Sequence, residues 1–83
     1  MIKVLLFGRL SELHDEGELM VNWHEELTDL RTLAKQISAN HGQLNREFEN
    51  PQLLISVNQT LVDWGYHLGD GDEVAFLPPV TGG

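Results

Sequence analysis

An α+β fold of two layers, one amphipathic helix laid across one face of a mixed sheet, is predicted for this 83-residue chain by three features. Residues Ile2 to Phe7 are apolar at every even position, as in a strand with one buried face. Leu30, Leu33, Ala34 and Ile37 recur at i, i+3, i+4 and i+7, the single stripe of a surface helix. Glu73-Val74-Ala75-Phe76-Leu77 reads as a closing strand, which Pro78-Pro79 must end because proline has no N–H to give the ladder.

The order of elements is ββαββ. In the first strand Ile2, Val4 and Leu6 form the core face, and Lys3, Leu5, Phe7 and Arg9 the opposite, partly solvated face. Ser11 to His14 suggests a short helical turn, and Asp15-Glu16-Gly17 a reverse turn. Glu18 to Trp23 alternates with Leu19, Val21 and Trp23 on one side, a second strand. Leu27-Thr28-Asp29-Leu30 opens the main helix, with Thr28 as its cap and Asp29 placed to suit the helix dipole in the first turn. Gly42 is the expected stop, which makes the helix about 13 residues, or roughly 20 Å. Residues 43–51 are polar, end at Pro51 and read as a loop with room for a helical turn. Leu53 to Asn58 is a third strand with Leu53, Ile55 and Val57 inward, and Asn58-Gln59 turns tightly into Thr60-Leu61-Val62. Asp63-Trp64-Gly65 and Gly69-Asp70-Gly71-Asp72 are turns before the last strand.

This layering leaves one face of the sheet without a helix. Leu5, Phe7, Ala75 and Leu77 lie there among Lys3, Arg9 and Glu73, an exposed apolar patch with a charged rim that leads directly into the C-terminal segment. Such patches on small proteins mark interaction surfaces.

Composition narrows the function. With 41% hydrophobic and 22% charged residues the chain fits a folded soluble domain. It has no cysteine, which removes disulfides, thiolate metal sites and a cysteine nucleophile. No apolar run approaches the ~20 residues needed to span a bilayer. The N-terminal segment is strand-like without a basic leader, so a cytoplasmic location and no membrane partner are expected. The net charge is −8, and all five basic residues, Lys3, Arg9, Arg31, Lys35 and Arg46, precede Glu47. From there on Glu47, Glu49, Asp63, Asp70, Asp72 and Glu73 are unbalanced, which disfavours nucleic acid and would steer a basic protein partner. His14, His24, His41 and His67 show no metal-ligand spacing, and Asp70 and Asp72 lack the further oxygen ligands of a calcium loop, so no metal is expected. Gly69 and Gly71 are not a dinucleotide fingerprint, no phosphate-binding loop occurs, and Ser11, Ser38 and Ser56 have no nucleophile context. The chain is expected to have no catalytic activity of its own and to bind no cofactor alone.

What remains is Pro78-Pro79-Val80-Thr81-Gly82-Gly83. Two prolines stiffen the base of a stalk about 20 Å long at ~3.3 Å per residue, and two glycines make its tip as thin as a polypeptide can be. This division, a domain over residues 1–77 and an extended tail over 78–83, suits threading into another protein with the Gly83 carboxylate as the reacting group. An ionised carboxylate is a poor electrophile, so it requires activation, for instance as an acyl-adenylate.

Val57-Asn58-Gln59 together with the run from Gly71-Asp72-Glu73-Val74 through Pro78-Pro79-Val80-Thr81-Gly82-Gly83 closely resembles the small, sulfur-carrying subunits of molybdopterin synthase. Ile2 to Phe7 and the helix start Thr28-Asp29-Leu30-Arg31 fit the same family, whereas residues 38–52 match it poorly. The resemblance implies a ubiquitin-like β-grasp fold. It implies that an activating adenylyltransferase uses ATP to adenylate Gly83, after which sulfur is installed as a C-terminal thiocarboxylate. The tail would then enter the large subunit of the synthase and deliver sulfur to cyclic pyranopterin monophosphate, in a heterotetramer of two small and two large subunits. Pro78, Pro79, Val80, Thr81 and Gly82 carry over as the tail, and Phe7, Leu61 and Leu77 as the docking surface. Leu77 stands where the family commonly has a second Phe, so it offers less aromatic area. Three other readings share the fold: a sulfur carrier for thiamine synthesis, a modifier forming amide bonds to lysines, and an interaction domain with an inert tail.

Overall fold

In the computed structural model, residues 1–14 and 17–79 are described. The strands are β1 (Ile2–Leu6), β2 (Glu18–Val21), β3 (Leu54–Val57), β4 (Thr60–Val62) and β5 (Glu73–Leu77). A 3-10 helix covers Gly8–Leu13, and two α-helices, α1 (Leu30–Asn40) and α2 (Gly42–Phe48), cover the sheet. The five strands lie in the order β2-β1-β5-β3-β4. β1 and β5, the first and last, pair in parallel, and every other neighbouring pair is antiparallel.

The core follows from strand parity. Ile2, Val4 and Leu6 of β1, Leu19 and Val21 of β2, Ile55 and Val57 of β3, and Val74 and Phe76 of β5 are buried. They meet Leu30, Leu33, Ala34 and Ile37 of α1, all buried, along the anticipated stripe. A two-layer core of this kind is what a chain this short can fill.

Three details correct the sequence reading. The cap of α1 is Asp29 and not Thr28: the Thr32 N–H donates to Asp29 Oδ1 at 2.9 Å, and Thr32 Oγ1 donates to the same oxygen at 2.6 Å. Asp29 is still extended, so the helix begins one residue later than placed. Gly42 does not stop the helix in a left-handed turn. The chain breaks at His41, whose N–H donates to Ile37 O, and Gly42 begins α2. Residues 43–51 are therefore mostly helix and not loop. Leu44 and Phe48, spaced i and i+4, dock on the core, Leu44 fully buried. Gln43 Nε2 donates to Leu13 O at 2.8 Å and ties α2 to the 3-10 helix.

The turn into β4 is as tight as expected. Asn58 and Gln59 have φ of +50° and +71°, the left-handed pair of a two-residue hairpin. The Asn58 side chain also reaches β5: its Oδ1 accepts from the Glu73 N–H, and its Nδ2 donates to Asp72 Oδ1, both at 3.0 Å.

Candidate functional site

The helix-free face of the sheet is built from the odd residues of β1 and β5 and the even residues of β3. Leu5 pairs with Ala75, Ala75 with Ser56, and Ser56 with Leu61, a row running across four strands. Toward the end where β5 leaves the sheet, Leu77 pairs with Leu54, and the Phe7 N–H donates to Phe76 O at 3.1 Å, which continues the β1–β5 ladder. Phe7 is extended, so its side chain keeps the parity of Lys3 and Leu5. Phe7, Leu77 and Leu54 thus form a second apolar row, with Leu61 diagonal to Leu54 across β3 and β4.

Phe7 is 45% exposed, Leu54 42% and Leu61 65%, while Leu77 and Leu5 are half-buried. Ala75 is buried between its larger neighbours. The rim is charged on the β2 side, where Lys3 lies between Met20 and Glu73, and Glu18 lies beside Leu5.

Parallel pairing of β1 with β5 decides what this face adjoins. Both strands end at the same edge of the sheet, so Phe7-Gly8 and Leu77-Pro78 leave it side by side. Gly8 turns the chain with φ +56°, and its missing side chain leaves room for the Pro78 ring. Pro78 and Pro79 are half-buried. Pro78 therefore leaves from the apolar row itself.

Of the residues singled out in the sequence, Phe7 and Leu77 come together in one row, and Leu61 flanks them from the edge strand. Val80, Thr81, Gly82 and Gly83 lie outside the described residues. Arg9, expected on this face, is elsewhere. β1 ends at Leu6, the turn at Gly8 redirects the chain, and Arg9 Nε donates to Glu47 Oε1 of α2 at 2.7 Å. That hydrogen bond, and then the Glu47 charge, raise the Arg9 pKa above its ordinary value. Leu54 was missed. Its signal was available: it is the apolar residue on the solvent parity of a strand whose other outward member is Ser56.

No helix among the described residues is long and apolar enough to cross a membrane, and no three metal-ligating side chains converge among them.

The model of the family described as the ThiS family matches residues 4–83. The chain belongs to the ThiS family. Within it, a molybdopterin synthase sulfur carrier subunit from Escherichia coli (strain K12) is 41% identical over 83 residues, covering 100% of both chains. A solved protein–protein complex of subunits 1 and 2 of molybdopterin-converting factor from Helicobacter pylori 26695 contains a chain 28% identical to this ThiS-family member. That alignment covers 99% of this chain and 97% of the other, with a TM-score of 0.66. SAMP1 from Haloferax volcanii, 23% identical over 99% of this chain and 98% of its own, superimposes with a TM-score of 0.83 and bears on the fold alone. The fold is the ubiquitin-like β-grasp. The resemblance carried by residues 71–83 thus extends over the whole chain.

Proposed function

We propose that this chain is the sulfur carrier subunit of a molybdopterin synthase. The observation that carries the reading is the 41% identity to the Escherichia coli sulfur carrier subunit over the full length of both chains. The open sheet face, continuous with Pro78, supplies a physical route: a partner that covers Phe7, Leu54, Leu61 and Leu77 receives the tail at the edge of the same contact.

The chemistry assigned to Gly83 is acyl activation followed by sulfur transfer. A carboxylate oxygen of Gly83 attacks the α-phosphorus of ATP within an adenylyltransferase, and pyrophosphate leaves. A sulfide-level sulfur then attacks the acyl carbon, AMP leaves, and the carboxylate has become a thiocarboxylate. Its sulfur is a soft nucleophile held on a tether, so delivery to cyclic pyranopterin monophosphate in the large subunit is effectively intramolecular. Two such deliveries make one dithiolene. The small chain contributes the reagent and the docking surface, and the large subunit contributes the pterin pocket and the acid–base groups.

Intact mass spectrometry of the chain after incubation with its activating enzyme, ATP and a sulfur donor tests the reading. The expected product has one oxygen replaced by sulfur, and it is absent when one residue is added after Gly83. Conjugates of higher mass on lysines would assign the chain to protein modification instead. An unchanged mass beside an active enzyme would leave only an interaction domain.

A further inference from the structure

The helix side of the molecule carries a second surface, apart from the row of Phe7, Leu54, Leu61 and Leu77. Phe76, fully buried in β5, packs at a tilt against Phe48 at the end of α2, with ring centroids 4.7 Å apart. Trp64, in the turn after β4, closes the cluster at 6.3 Å from Phe48 and 6.1 Å from Phe76. Phe48 and Trp64 are half-buried, so the core surfaces here as an aromatic floor. Above it lies a groove of about 430 Å³, open to solvent, between α1 and the end of α2. Its walls are Ala34, Arg31 and Lys35 of α1 and Glu49 just past α2.

The charge of this groove runs against that of the chain. The protein carries −8, yet two of its five basic residues stand together on one turn of α1 at the rim. Both are exposed, and neither forms an ion pair or side-chain hydrogen bond among the described residues. Glu49, the acidic wall, accepts from Asn45 Nδ2 at 3.3 Å. Cations on one lip and an aromatic floor between them match a carboxylate-bearing segment that also presents an apolar side chain. The openness of the groove suits a protein segment better than a small ligand, which requires enclosure. The acidity of the rest of the surface repels a nucleic acid backbone.

We infer that the Arg31–Lys35–Trp64 groove is a docking site for an acidic, apolar segment of a partner protein. The groove lies on the helix layer, across the sheet from Phe7, Leu54, Leu61 and Leu77, so it stays accessible while the open face is covered. The inference stands independently of the sulfur-carrier reading.

Fluorescence anisotropy with a dye-labelled, end-capped peptide of alternating glutamate and leucine tests it on the full chain. Backbone amide shifts locate the contact. The peptide is expected to bind at physiological salt and to move the amides of Arg31, Lys35, Phe48 and Trp64. Its glutamine-for-glutamate counterpart and the Arg31→Glu, Lys35→Glu double variant are each expected to bind at least about tenfold more weakly. Both substituted positions are exposed, so the fold is retained, and sulfur loading of the variant is expected to stay at the unsubstituted level. Undetectable binding, equal binding to the charge-reversed variant, or shifts confined to the open sheet face would each overturn the assignment. So would tighter binding of a single-stranded DNA oligomer that the same variant loses.

Discussion

Gly8 and Pro78 occupy one another's space: a Cβ built on Gly8 would stand 2.7 Å from Pro78 Cγ, where φ at Gly8 is already +56°. The end of the first strand and the residue that follows the last strand are fitted together through an absent side chain. Gly8→Ala is therefore expected to cost about 2–4 kcal/mol, part from the left-handed backbone and part from overpacking. If the chain carries sulfur as proposed, the substitution should also slow the transfer by displacing Pro78. Urea denaturation and single-turnover transfer check both, and an unchanged midpoint would mean that the ring does not hold this position.

Asn58 joins the hairpin to the start of β5. Its Oδ1 and Nδ2 engage the Glu73 N–H and Asp72 Oδ1, while its backbone sits at φ +50°. Asn58→Ala loses both hydrogen bonds and the tolerance for that angle, at an expected cost of about 1–3 kcal/mol. Asn58→Gly restores the angle alone and should recover only part of the loss. Asn58→Asp keeps the acceptor but sets a second carboxylate against Asp72, and should be more destabilising at neutral than at acid pH. Melting temperatures of the three variants order these contributions.

The cap of α1 is a titrating group. Hydrogen bonds from the Thr32 hydroxyl and backbone N–H hold the Asp29 carboxyl below the usual carboxylate range, with lesser help from the Arg31 and His67 charges. A depressed folded-state pKa means that the stabilisation is fully present above the ordinary value of the unfolded chain. It is lost as pH falls through the lower, folded value. The difference in melting temperature between the native chain and Asp29→Ala is expected to be constant near neutrality and to shrink in the acid range. A difference that widened on acidification would reverse the assigned sign.

On the open face, Leu54→Asp and Leu61→Asp separate docking from stability. Both side chains are exposed, so each substitution should change stability by no more than about 0.5–1 kcal/mol. If the face docks on a large subunit, each should weaken that complex by at least about tenfold, Leu54→Asp more than Leu61→Asp because Leu54 stands beside Leu77 in the row. Calorimetric titration with the large subunit is the measurement. Undiminished affinity in both would move the interface off this face.

Much of the architecture was legible because it rests on short-range periodicity. Period-two alternation marks β1 and β5, the i, i+3, i+4, i+7 stripe marks α1, and Asn58-Gln59 marks the hairpin. Helix α2 was not legible, because a single i, i+4 pair, Leu44 and Phe48, anchors it amid polar residues, and only burial against the core makes that pair decisive. Arg9 was misplaced for a related reason. Alternation predicts a face only as long as the strand continues, and Gly8 ends it.

By itself the chain determined its strand faces, its main helix and the Pro-Pro to Gly-Gly motif that led to the family, since each is written in neighbouring residues. The tertiary structure decided which of these surfaces stand together. Parallel pairing of the first and last strands, 71 residues apart from Ile2 to Glu73, sets Phe7 beside Leu77 and aims both at Pro78. No local pattern encodes that pairing. It arises because a sheet must bury one face under α1, and placing the two most apolar strands at its centre removes the most hydrocarbon from water.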